Sequence, residues 1–340
     1  MKILDKSYDE KTIMKYANTI ETVNSARRIQ FLEGKAKGAE AIEVICSGGL
    51  ELLIMIDRGL DIAVARYKGV NIGLLTKNGI TGKAEVNTHE DEFLRYFTGG
   101  LLTTCGLRNA GPSCRDENGE YHPIHGRINT IGAQGVSIQW KTKEIIEISG
   151  VMHETALFGN QLKLTRKITI FTSESRVQIN DTLENESVRE EEIMLLYHCN
   201  FGFPFLQEGC KVEFEAQDKV IPRTDDAQKG MDSYTEISAP IDDYKEQVFF
   251  HIQKGDAAGN GHVKVVNPHL CMAVELSYSL DTLPVLAHWK SMASGDYALG
   301  LEPSNNYTKG RVDERKNGTL KKIAPYSSLE FAIEFQIKEN

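Results

Sequence analysis

The chain has 340 residues, 41% hydrophobic and 26% charged, with 29 Gly and only 9 Pro, so it can bury a large core and shows no excess of disorder-promoting residues. Its formal charge of -9 argues against nucleic acid, because a phosphate reader needs a basic face; in the RVDERKNG stretch Arg311, Arg315 and Lys316 are interrupted by Asp313 and Glu314. The six cysteines include no C-x-x-C pair and read as reduced thiols. The first residues lack the apolar run of a signal peptide, and no segment approaches a membrane span, so a cytoplasmic location is expected.

Two short helices are expected near the start. Ser7 and Glu10 fit a capping box, with Ile13 and Tyr16 on one face. Thr88 and Asp91 give a looser capping pattern, Phe93 and Phe97 share a face, and Gly99-Gly100 supplies a stop.

Most of the remaining chain reads as strand. Leu52, Ile54 and Ile56 point one way. Leu162, Leu164, Ile168 and Ile170 alternate with polar residues, Arg166 being the exception on the apolar side. Leu329, Phe331, Ile333, Phe335 and Ile337 alternate with Glu330, Ala332, Glu334 and Gln336. Period-two patterns with polar outer faces mean antiparallel sheets buried on one side. Ser47-Gly48-Gly49 and Asn317-Gly318 sit between runs, as hairpin connections should. No linker or repeat divides the chain. The fold class expected is all-β: a large antiparallel β-sandwich with a few short helices, one domain over 1–340, residues 1–40 forming an N-terminal extension packed on it; a two-domain all-β chain is the alternative.

Four polar segments interrupt the strands: Tyr121–Arg127, Leu196–Pro204, Leu299–Asn306 and Ile56–Ile62. Each alone has a structural explanation. Taken alone, His198 reads as a core histidine, Glu302 as the end of a strand and Arg58 with Asp61 as an ion pair at a turn, while Trp289 reads equally as core.

Together, however, the phrases DRGLDI, GGLLTTCG, HGRI, LYHCNFGFP, EQVFFH, HWKSM and ALGLEPSNN, in this order between about residues 57 and 306, resemble the galactose mutarotase-like superfamily, and more closely its bacterial branch of uncharacterised aldose 1-epimerase-like proteins. The resemblance implies a β-supersandwich with a sugar in a groove across one sheet. It implies a glutamate near the C-terminus as general base, a mid-chain histidine as general acid and an earlier histidine holding the substrate; matched motif by motif, these are Glu302, His198 and His125. The residue types suit the chemistry independently. Exchanging anomers needs one group to take the C1 hydroxyl proton while another protonates the ring oxygen, and a carboxylate with an imidazole suffices. No cofactor is required.

Arg127 and Arg58 are candidate donors to sugar hydroxyls, Trp289 a ring face and Lys290 a further donor, with Asn200 as another substrate-binding residue. The aspartate with which galactose mutarotases grip hydroxyls has no clean counterpart; Asp242, Asp243, Glu246 and His251 lie in that stretch. Three functions follow: a mutarotase on a free aldose; an epimerase or isomerase of a modified or phosphorylated sugar, with Arg58, Arg127 and Lys290 on the phosphate; and a non-catalytic sugar binder. The expected partner is a small-molecule sugar, with no nucleic acid and no membrane; monomer and homodimer are both compatible with the sequence. A metal held by His125, His198 and Glu302 is disfavoured because their spacing matches no ligand signature.

Overall fold

The computed structural model describes residues 1–83 and 86–339. Three antiparallel sheets carry the architecture. A five-stranded sheet runs in chain order from Ser25–Gln30 through Glu40–Ile45, Leu50–Met55 and Asp61–Tyr67 to Val70–Asn71. An eight-stranded sheet begins with the meander Gln134–Thr142, Ile145–Thr155, Gln161–Phe171 and Arg176–Asn185. It continues through Ser328–Glu339, Met272–Ser279 and Asn260–Asn267 to Lys211–Phe214. A seven-stranded sheet has the order Leu102–Leu107, Glu191–Phe201, Asp296–Ser304, Val285–Ala293, Gln247–Gln253, Gln217–Pro222, with Lys321–Ile323 also paired to Glu191–Phe201. The chain passes repeatedly between the last two sheets, so neither is a contiguous piece of sequence. This is the antiparallel β-sandwich expected from the alternating patterns.

Alternation explains where the core lies. Leu162, Leu164, Ile168 and Ile170 are fully buried, as are Ile54, Phe335 and the odd-numbered residues from Ile193 to Phe201. All join one cluster between the sheets. Side chains in a strand alternate faces, so the even-numbered residues of Glu191–Phe201, His198 among them, point to the other side.

Arg166, the polar interruption in an apolar face, is wholly buried and bonded on all sides. Its Nε and Nη2 donate to Asp181 at 2.9 and 2.6 Å, and its Nη1 donates to Asp61 at 3.1 Å and to the Gly59 carbonyl at 2.9 Å. Tyr197 donates to Asp181 at 2.8 Å, and Asp61 accepts from the Thr104 hydroxyl and amide. One guanidinium therefore ties together all three sheets. Asp61, read from sequence as a partner of Arg58, pairs with Arg166 instead, a residue 105 positions away.

Three local readings are corrected. The first helix, Glu10–Tyr16, is capped by Asp9, which accepts from the Thr12 amide, not by Ser7; Ile13 is buried, but Tyr16 faces solvent. Asn317-Gly318 ends a helix, Arg311–Asn317, with Gly318 left-handed at φ 71, and is not a hairpin turn. The Gly99–Gly100 pair is a strand hydrogen-bonded to Leu74–Leu75, downstream of the short helix Phe93–Tyr96, where Glu92 holds the N-cap position without a side-chain capping bond; the Asp91 side chain lies outside the described residues. Within the first 40 residues, Ser25–Gln30 forms the edge strand of the five-stranded sheet. Among the described residues, no helix is long and apolar enough to cross a membrane.

Removing one partner from a buried, hydrogen-bonded ion pair leaves an uncompensated charge and costs about 3–5 kcal/mol. Arg166→Met is therefore expected to lower unfolding stability by that order in equilibrium denaturation. Arg166→Met/Asp181→Leu should recover part of the loss, because the orphaned carboxylate is gone; a shift below about 1 kcal/mol in the single variant would contradict the assigned role.

Candidate active site

A cleft of about 670 Å³ opens on the outer face of the seven-stranded sheet. His198, from Glu191–Phe201, and Glu302, from the neighbouring Asp296–Ser304, form its floor, with Nε2 of the histidine 3.2 Å from Oε1 of the glutamate. The register places them there: Cys199 is opposite Leu301 and Asn200 opposite Gly300, so His198 and Glu302 are near-opposite on the same face. The contact is close, but Oε1 lies off the N–H direction and makes no hydrogen bond to protein; His198 Nδ1 is also without a protein partner. Both side chains are buried. Two polar atoms of the facing pair are thus left unpaired just beneath the cleft, both shielded from solvent, where buried polar groups are ordinarily satisfied.

Gly300 makes the approach possible. A Cβ there would stand 2.5 Å from Glu302 Oε1 and 3.3 Å from the His198 ring, so any side chain would displace the carboxylate.

His125 joins the pair from the Tyr121–Arg127 segment, its ring 5.5 Å from that of His198. Its backbone is left-handed, φ 55, a strained conformation for a non-glycine residue. The Gly111 amide donates to its Nδ1 at 3.4 Å, which leaves Nε2 to carry the proton of the neutral ring. Aromatic rings enclose the three: Phe93 against His125 at 5.2 Å, Phe97 against His198 at 5.3 Å, and Trp289 edge-on to His198 at 5.6 Å.

Burial shifts the two members of the pair in opposite directions, because it disfavours whichever form is charged. It pushes Glu302 up to about 8, with Arg223 pulling the other way and Glu246 adding to the rise. It pushes His198 down to about 3, reinforced by His125 and opposed by Asn200, and it pushes His125 down to about 4, with Arg223 contributing. At neutral pH the carboxyl is therefore protonated and the imidazole neutral, so the pair carries no net charge.

Of the other residues singled out from sequence, Trp289 lines the cleft and donates its indole N–H to Glu246 at 2.9 Å. Lys290 is on the opposite face of the sheet, since consecutive strand residues point apart; its Nζ donates to the Ser233 carbonyl at 2.9 Å in a separate pocket. Arg58 is buried and holds the Thr81 carbonyl and hydroxyl and the Asn129 carbonyl, with Tyr96 stacked on it. Arg127 donates to the Tyr121 carbonyl at 2.8 Å. Asn200 is fully buried beneath the floor, donating to the carbonyls of His198 and Gly99. These four side chains, placed at the ligand by sequence reading, support the cleft or lie away from it.

Glu246 faces the cleft, while His251 is buried on the other side of the sheet, against Gln217 and His288. Sequence reading missed Arg223, which follows the strand Gln217–Pro222 and lines the cleft. A lone arginine after a strand gives no signal of its own. It also missed the pair Lys77–Asp296 at the rim, joined at 2.7 Å across 219 positions. The ligand atoms of His125, His198 and Glu302 do not all fall within 4.8 Å of one another, as a shared metal would require.

Several solved structures share this architecture. A candidate aldose 1-epimerase from Klebsiella pneumoniae superposes with a TM-score of 0.87 at 22% identity, over 92% of this chain and 83% of that one. A galactose mutarotase-like protein from Clostridium acetobutylicum gives 0.67 at 16% identity, covering 94% and 100% of the two chains. The galactose 1-epimerase of Lactobacillus acidophilus gives 0.61 at 10%, covering 93% and 99%. At these identities the likeness establishes the fold. No curated protein sequence matches the chain. The family profile described as Domain of unknown function (DUF4432) matches residues 36–337, and the chain is a member of that family, built on the galactose mutarotase-like β-sandwich.

Proposed function

We propose that the protein is an aldose 1-epimerase, interconverting the anomers of a sugar by acid–base ring opening at His198 and Glu302. The observation that carries this reading is the buried carboxyl–imidazole pair, 3.2 Å apart and short of hydrogen-bond partners, on the floor of an aromatic-walled cleft.

Ring opening removes the proton from the C1 hydroxyl and delivers one to the ring oxygen. The C1–C2 bond then rotates, and closure reverses both transfers. One proton shared by the pair meets this requirement. Held on Glu302, it goes to the ring oxygen while neutral His198 accepts from the hydroxyl. Held on His198, the assignment is the reverse, with Glu302 as base as the family resemblance implies. The two arrangements have equal net charge, so sugar contacts that favour the ionised one need only supply the difference between them. His125, with its proton on Nε2, is placed to donate to a sugar oxygen, and Trp289 offers an apolar ring face to the sugar C–H groups.

The test is exchange NMR on a panel of aldoses. Wild type should accelerate α/β exchange of one sugar or a small set of them, and Glu302→Gln and His198→Asn should each lower kcat by ~10²–10⁴-fold. Full activity in either variant would remove the pair from the mechanism.

The pH profile follows from the shifts. Glu302, raised by burial, loses the shared proton as pH rises through about 8, and His198, lowered by burial, gains a second one only below about 3. Activity should therefore fall on the alkaline side near pH 8 and show no acidic limb between pH 5 and 7, read as kcat/KM for the free enzyme. Gly300→Ala should cost at least ~10²-fold in kcat with a cooperative unfolding transition retained, because it displaces the Glu302 carboxylate rather than the core.

A further inference from the structure

Five side chains with charge-bearing groups face the cleft: Lys77, Arg223, Glu246, Asp296 and Glu302. Lys77 and Asp296 neutralise each other at the rim. Burial keeps Glu302 protonated at neutral pH, and Glu246 accepts a hydrogen bond from the Trp289 indole. Arg223 is different. Its backbone is anchored, the amide donating to the Val248 carbonyl at 2.8 Å, yet among the described residues no hydrogen bond or ion pair engages its guanidinium. It stands near enough to the reacting groups for its charge to act on both Glu302 and His125. The cations that the sequence offered for such a role are engaged elsewhere: Arg58, Arg127 and Lys290 each donate to backbone carbonyls outside the cleft lining. The cleft therefore has one planar, five-donor cation, half-buried and with no acceptor from the protein among the described residues, which only solvent or a ligand can engage.

We propose that the substrate is an aldose bearing an anionic group, a carboxylate or a phosphate, and that Arg223 is the specificity-determining residue that grips it. The inference rests on the aldose reading above. A guanidinium meets either oxyanion bidentately, which a hydroxyl cannot match, and the pairing is stronger inside a partly enclosed cleft than in water. Glu246, of opposite sign, would direct the anionic end of the sugar to the Arg223 side.

The experiment compares each neutral hexose with its uronate and its 6-phosphate, in two readouts. Calorimetric binding to Glu302→Gln reports recognition without turnover, and exchange NMR on wild type reports catalysis. The expected result is at least ~10-fold tighter binding and higher kcat/KM for one anionic sugar than for its neutral parent, and which sugar it is distinguishes carboxylate from phosphate. Arg223→Met should reduce the anionic advantage by ~10–100-fold, the range of a charged hydrogen bond, and affect the neutral sugar much less. Arg223→Lys should restore part of it. Equal or better binding of the neutral parent, absence of binding by any of the sugars, or an equal loss for both sugars in folded Arg223→Met would overturn the proposal. Preferential binding of an anionic sugar with no exchange on any aldose would leave Arg223 in its role and overturn the epimerase reading instead.

Discussion

The buried guanidinium of Arg166 is the constraint on which the positions of the other elements depend. A sandwich held by apolar contacts alone leaves its sheets free to slide, because dispersion and hydrophobic burial are not directional. Arg166 removes that freedom with bonds of fixed geometry to Asp181 in its own sheet, to Asp61 in the five-stranded sheet and, through Asp181, to Tyr197 in the seven-stranded one. Asp61 closes the circuit by accepting from Thr104, which is directly opposite Tyr197 in the ladder. The price is visible in Asp61, which burial pushes up to about 6 against the opposing pull of Arg166 and Thr104. What results is a fixed position for Tyr197, and therefore for the next residue, His198, on the opposite face.

That one-residue step separates two chemistries. Along Glu191–Phe201 and Val285–Ala293, one set of side chains faces the interior of the sandwich and the other faces the cleft. His251 and His288 share the interior face, where Phe214 stacks on His251 at 4.2 Å and burial keeps both rings neutral. They are core histidines in the ordinary sense. His198 is also buried and ringed by aromatics, yet its Nε2 meets a carboxylate at the cleft floor. Residue type does not distinguish these histidines; the face of the strand does.

The same rule explains what was legible in the sequence. The alternating runs at Leu162–Ile170 and Leu329–Ile337 carry their own burial code, so strand and face could be read directly. Arg166 was visible as a breach of the code, but its partners, 15 and 105 positions away, were not. His198 and Glu302 were identified by resemblance, whereas their contact depends on a register between strands that no local pattern encodes. The reading of Trp289 with Lys290 as joint ligand contacts ignored the period of two and put a back-facing side chain in the cleft. Arg127 follows the motif residue His125 by two positions and Arg58 belongs to the separate DRGLDI phrase, yet both serve backbone carbonyls rather than the cleft. Helix Arg311–Asn317 was hidden because its buried face is charged: Arg311 holds Glu192 and the Arg108 carbonyl, so the segment lacks an apolar stripe.

Burial also accounts for the choice of residue types at the floor. Burial drives a carboxyl toward the neutral acid and an imidazole toward the neutral base, so two like groups in this position would be shifted in the same sense. A carboxyl beside an imidazole is shifted in opposing senses by the same environment, so the pair retains one proton over a wide range of pH. Such a pair is neutral overall, which makes it tolerable under an aromatic wall, and it needs only an internal transfer to exchange acid and base. Gly300 belongs to the same design. By lacking a side chain, it leaves room for the carboxyl against the imidazole: a Cβ would stand 2.5 Å from Oε1 and push the carboxyl out of the buried position that raises it.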